Sequence, residues 1–93
     1  MLKKYAVLQK VYEEKIVGII RVDSVEKAEK TLAALYEGGL SVVELTFTIP
    51  YAHTILESLT KTYRGKMIIG AGTVLDEATA RLAILSGAEF LVT

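Results

Sequence analysis

The stretch SVVELTFTIP, Ser41 to Pro50, decides how the rest of the chain is read. It alternates with period two, as a strand does: Val43, Leu45 and Phe47 fall on one face, and Glu44, Thr46 and Thr48 on the other. A strand covered on both faces is expected to be apolar throughout. Here one face carries a carboxylate followed by two hydroxyls. An ionised carboxylate in a dry interior needs a partner or water. Two readings stay open from this stretch alone: Glu44 points into a hydrated cavity, or the strand is antiparallel with one solvated face.

The surrounding chain narrows the choice. Ile16 to Val22, IVGIIRV, is a β-branched run of strand length, with Arg21 near its end on the face of Val17 and Ile19. Asp23 is expected to cap the next helix, with Glu26 completing a capping box. Val25, Ala28, Leu32 and Leu35 form its apolar stripe, and Gly38 and Gly39 end it. After the Glu44 strand, Pro50 suits the first turn of a helix through Ile55, Leu56 and Leu59 to about Tyr63. Met67 to Val74, MIIGAGTV, is a third strand. Asp76 caps a third helix, with Ala78, Leu82 and Leu85 expected on its buried side and Gly87 as its stop. Glu89 to Thr93 begins a fourth strand. Ahead of all this, residues 2–15 form a short amphipathic helix whose stripe is Leu2, Tyr5, Leu8 and Tyr12.

Strands recur about every 25 residues, one helix between each pair, and the helices after the first and third strands share a pattern in which Ala28, Leu32, Leu35 and Gly38 answer to Ala78, Leu82, Leu85 and Gly87. Strict alternation implies parallel strands joined by right-handed crossovers. The polar residues Arg21, Glu44, Thr48 and Thr73 all fall at or near C-terminal strand ends, where (β/α)8 barrels build their sites. The expected fold is therefore α/β, a (β/α)8 TIM barrel of which this chain supplies about four strands and three to four helices. Its inner face is expected to include Val17, Ile19, Met67 and Ile69. With two bare strand edges and an uncovered fourth strand, residues 1–93 read as half of such a barrel.

Composition limits the function classes. The chain has 93 residues, 52% hydrophobic and 24% charged, which implies one packed domain. Acidic and basic residues balance at 11 each, so no basic footprint for nucleic acid is present. Absence of cysteine excludes disulfides and thiolate metal sites, and a single histidine, His53, disfavours a His-rich metal site. His53 itself reads as a surface residue of its helix. No signal-like leader and no run near the ~20 apolar residues of a membrane span is present, so the expectation is a soluble, cytoplasmic protein with no membrane partner. Gly70-Ala71-Gly72 is a poor dinucleotide fingerprint, because Leu75 stands where the third glycine belongs.

The ordered set of motifs, a first strand ending in Arg21, E-x-T-x-T-x-P from Glu44 to Pro50, G-A-G-T-V from Gly70 to Val74 and S-G-A-E-F-x-V from Ser86 to Val92, resembles the 2-keto-3-deoxy-6-phosphogluconate / 4-hydroxy-2-oxoglutarate aldolase family. The resemblance runs from about Ile16 to Thr93 and covers roughly the N-terminal half of such an enzyme. It implies a class I aldolase, a lyase acting on a small keto-acid substrate through a Schiff base to a lysine, with no cofactor and no metal. Glu44 matches the family's proton-shuttling glutamate. Thr73 matches the hydroxyl that binds the pyruvyl carboxylate, and Arg21 a basic residue near the phosphate or carboxylate end. Thr48 stands where some members place an arginine. The Schiff-base lysine belongs to the sixth strand and has no counterpart in this chain, so the chain alone is expected to be inactive. The resemblance also implies a homo-oligomer, a trimer in complete members. The alternatives are a different phosphate-binding barrel and a non-catalytic half-barrel scaffold.

Overall fold

The computed structural model describes residues 2–93. Along the chain they form α1 (Leu2–Glu14), β1 (Gly18–Ile20), α2 (Val25–Glu37), β2 (Val42–Thr46), α3 (Ala52–Tyr63), β3 (Ile68–Gly72), α4 (Glu77–Leu85) and β4 (Leu91–Val92). The four strands make one parallel sheet in the order β1-β2-β3-β4. Each strand is thus the spatial neighbour of the next, with one helix between them. A doubly wound sheet reverses its order at a switch point; here there is no reversal. Right-handed crossovers that always step the same way leave their helices on one side of the sheet. This is the progression of a (β/α)8 barrel, and the expected fold class holds.

The core lies between the sheet and α2, α3 and α4. Ile20, Val43, Leu45, Ile69 and Ala71 from the strands meet Ala28, Leu32, Ile55, Leu56, Leu59 and Ala83 from the helices, and all are buried. Met67 and Ile69, expected on the inner face, belong to this core at 3% and 1% exposure. Their parity explains the correction: Ile69 is the register partner of Val43, whose side chain packs under the helices. Ile19, one residue out of phase with Ile20, faces the other way and is 68% exposed.

Helix α2 starts one residue later than its sequence signal. Ser24 is the extended N-cap, and its hydroxyl accepts from the Lys27 amide at 3.1 Å. Asp23 lies outside the helix, where its carboxylate pairs with Lys27 Nζ at 2.9 Å. Glu26 then sits too early to close a capping box, but it still favours the positive helix end. The chain leaves α2 through Gly39 at φ +95°, a left-handed turn that suits glycine. Pro50 precedes α3 rather than opening it, because Tyr51 at φ +58° is the N-cap. Asp76 caps α4 as expected, accepting from the Thr79 amide at 2.7 Å.

Two helices bury a different stripe from the one their apolar spacing suggests. In α4, Ala83 is buried and Ala80 half-buried, whereas Ala78, Leu82 and Leu85 are not part of the core. When α2 and α4 are aligned on their left-handed glycines, Gly39 and Gly87, Leu32 and Leu35 correspond to Ala80 and Ala83. The internal repeat is real but shifted from the one read off the sequence. In α1, Val7 is buried and Val11 half-buried, while Tyr5, Leu8 and Tyr12 are exposed; the side chain of Leu2 lies outside the described residues. This helix crosses the N-terminal end of the sheet, where Ser41 donates a hydrogen bond to Glu14.

Candidate active site

Strand β2 carries the site because it is buried along its whole length yet polar on one face. Val43 and Leu45 enter the helix-side core; Val42, Glu44 and Thr46 point to the opposite, inner face. Register then places their neighbours. Glu44 lies between Ile19 of β1 and Gly70 of β3, and Thr46 lies beside Gly72. Continuing the β1 register past Ile20, Arg21 comes opposite Thr46, and Thr73 follows Gly72 directly. Arg21, Thr46 and Thr73 therefore span the C-terminal ends of three adjacent strands, just beyond Glu44.

The two glycines of β3 shape the floor. A Cβ built on Gly72 would fall inside the Glu44 carboxylate, and one built on Gly70 would meet the Phe90 ring at 2.5 Å. The Glu44 side chain from one neighbouring strand and the Phe90 ring from the other side thus lie over consecutive inner positions of β3. Glu44 is 8% exposed and has no hydrogen-bond or ion-pair partner among the described residues. Its carboxyl oxygens still touch solvent, since no unpartnered buried side-chain oxygen occurs among those residues. Loss of hydration on burial pushes its pKa above the ordinary glutamate value. A carboxyl group so shifted exchanges its proton closer to neutrality, which suits a general acid and base.

Thr73 stands just past β3, exposed, at φ +54°. A β-branched residue in the left-handed region is under backbone strain, and such strain gathers at binding and catalytic positions. Thr48, expected on the strand, lies instead in the turn after it, because β2 ends at Thr46. Its hydroxyl donates to Thr46 Oγ1 at 3.4 Å. Thr46, which sequence reasoning did not single out, joins this row of polar strand ends; its place on the Glu44 face was the signal. Arg21 is exposed and makes no ion pair among the described residues; with Val22, Asp23, Lys27 and Ile49 it lines an opening of about 280 Å³ at the same end of the sheet. His53 is half-buried on α3, away from this face.

None of the four strands carries a lysine. Lys66 precedes β3 and Lys15 precedes β1, at the opposite end of the sheet from Thr73. A cavity of about 330 Å³ bordered by Lys3, Arg64, Met67 and Glu89 also lies at that opposite end. Arg21, Glu44, Thr46 and Thr73 gather instead at the C-terminal strand ends, which form the candidate site.

The sequence profile of "KDPG and KHG aldolase" matches residues 7–93, nearly the whole chain. The chain belongs to this family. Among aldolase relatives, it is 37% identical over 87 residues to the 2-dehydro-3-deoxy-phosphogluconate aldolase of Haemophilus influenzae, covering 94% of this chain and 41% of that protein. It is 36% identical over 81 residues to the enzyme of the same name from Pseudomonas aeruginosa, covering 87% and 36%. The crystal structure of the Legionella pneumophila KDPG aldolase, which holds pyruvate as a covalent carbinolamine, superposes with a TM-score of 0.78 at 32% identity over 83% of this chain and 37% of that one. The chain thus spans about two-fifths of the length of the aldolases it matches. Aldolases of this kind act on keto-deoxy phosphosugar acids, as their names state.

Proposed function

We propose that residues 1–93 form the N-terminal half of a (β/α)8 class I aldolase that cleaves a 2-keto-3-deoxy-6-phospho sugar acid, or 4-hydroxy-2-oxoglutarate, to pyruvate and an aldehyde. The observation that carries this reading is Glu44: a buried, unpaired carboxyl group of raised pKa on the inner face, one step below a row of polar strand ends. In the reaction, a lysine amine adds to the keto carbon and the resulting carbinolamine must lose its hydroxyl as water. Glu44 donates that proton, and as carboxylate it takes one back when the next step requires a base. The Thr73 hydroxyl, held by strained backbone at the end of β3, binds the pyruvyl carboxylate. Arg21 supplies positive charge for the distal carboxylate or phosphate, and Thr48 lines the approach.

The lysine itself is assigned to a later strand of the complete barrel, since no strand of this chain has one. Residues 1–93 alone are then catalytically silent. Borohydride reduction in the presence of pyruvate tests this directly by intact mass. A complete barrel that includes these residues gains a pyruvyl adduct, and the 93-residue chain gains none. An adduct on the short chain overturns the assignment. The proposed setting is the cytoplasm, and the proposed assembly of the complete enzyme is a homotrimer.

A further inference from the structure

We infer that Gly72 is the positioning residue for Glu44: the missing side chain at this point of β3 is the slot in which the Glu44 carboxylate lies, and any larger residue evicts it. The inference rests on Glu44 as the proton carrier for its functional meaning, but its geometry stands independently. A Cβ at Gly72 meets three atoms of one side chain first, the Oε1, Cδ and Cγ of Glu44. Backbone conformation does not call for glycine here. Its φ lies outside the left-handed region, unlike Gly39, Gly65 and Gly87. Its backbone is ordinary parallel ladder, with its carbonyl accepting from the Phe47 amide at 2.8 Å and Val92 as its partner on the other side. Alanine there is conformationally permitted, and the three nearest atoms it would displace all belong to the Glu44 side chain.

The contrast with Gly70 sharpens the point. Gly70 sits on the same face of the same strand, two residues earlier, and makes room for the Phe90 ring. Gly70 therefore serves packing, while Gly72 serves the carboxylate. The carboxylate lies over Gly72, the residue before Thr73, and burial raises its pKa.

A double-mutant cycle on the 93-residue chain tests this, using urea unfolding of Gly72→Ala, Glu44→Ala and the double variant. Gly72→Ala is expected to lower the folding equilibrium constant at least about tenfold more when Glu44 is present than in the Glu44→Ala background. Failure of Gly72→Ala to fold while the double variant folds counts as the same result. Equal effects in both backgrounds, including failure of both to fold or no effect in either, overturn the inference. The second readout is the carboxyl carbon of Glu44, titrated by NMR. Gly72→Ala, where folded, returns it toward the ordinary glutamate value, whereas Gly70→Ala leaves it raised. An unchanged Glu44 titration in folded Gly72→Ala also overturns the inference. Neither readout depends on turnover, so loss of the proton-carrier role and failure of the Gly72 cycle are distinguishable outcomes.

Discussion

Thr46 and Thr48 share a hydroxyl–hydroxyl hydrogen bond of 3.4 Å across the end of β2, the first residue buried and the second exposed. The bond ties the last fixed position of the strand to the turn that leads into α3. It is long, and so contributes little to stability. The Thr46 hydroxyl is therefore free to serve a ligand on the inner face. Thr46→Val keeps the shape and suits a strand. We expect the folding stability of the chain to change by less than about 1 kcal/mol, while a complete barrel carrying the change loses up to about tenfold in turnover or affinity. A large stability loss with unchanged catalysis assigns the hydroxyl a structural role.

Thr73 sits at φ +54°, a conformation that disfavours any residue with a Cβ. Thr73→Gly relieves that strain, partly offset by the greater freedom of glycine in the unfolded chain. We expect a net gain of about 0.5–1 kcal/mol in urea unfolding. In a complete barrel the same change weakens keto-acid binding, because the hydroxyl is gone. Destabilisation on substitution to glycine contradicts the strained-ligand reading.

The Glu44 pKa is raised by burial above its ordinary value near 4.5. The folded chain then binds this proton more tightly than the unfolded one. Stability is accordingly undiminished below the ordinary value, falls as pH rises through the window up to the raised pKa, and stays lower above it. Glu44→Gln carries no titrating group. Its stability relative to the parent chain is expected to rise with pH across that window and level off beyond it, measured by urea unfolding from about pH 4 to 8. A relative stability that falls with pH contradicts the burial argument and points to a charge-stabilised carboxylate.

Alternation of apolar runs with capped helices, read from the chain alone, was sufficient for the parallel strand order, but not for the faces of β3, where Met67 and Ile69 joined the helix-side core instead of the inner face. The helix stripes of α1 and α4 were not legible, because hydropathy picks the longest apolar residues while burial depends on which face meets the sheet. Tyr5, Leu8 and Tyr12 outrank Val7 in size but stay exposed while it is buried. In α4 the buried side is Ala83 with the half-buried Ala80, while Leu82 and Leu85 stay exposed. Glu44 stood out in sequence as one carboxylate inside an apolar alternation. The seat beneath it did not, because the register pairs Glu44 with Gly70 and only the diagonal lean of its side chain brings the carboxylate over Gly72.

The sheet has one unpaired edge at β1 and another at β4 among the described residues, and its inner face exposes Ile19 and Val92 at 68% and 41%. Bare parallel edges beside apolar surface favour pairing with another copy. The 93-residue chain is expected to sediment at micromolar concentration as an oligomer, with an unfolding midpoint that rises with concentration. A monodisperse monomer with a concentration-independent, cooperative transition contradicts this and describes a self-sufficient small sheet.

The role of Glu44 as proton carrier is tested most directly by turnover of a complete barrel bearing Glu44→Gln. The substitution keeps the side chain's shape over Gly72 and removes its titratable proton. Turnover is expected to fall by about 10²–10⁴ while keto-acid binding weakens far less. Near-normal turnover in the folded variant contradicts the assignment and leaves Glu44 a structural carboxylate.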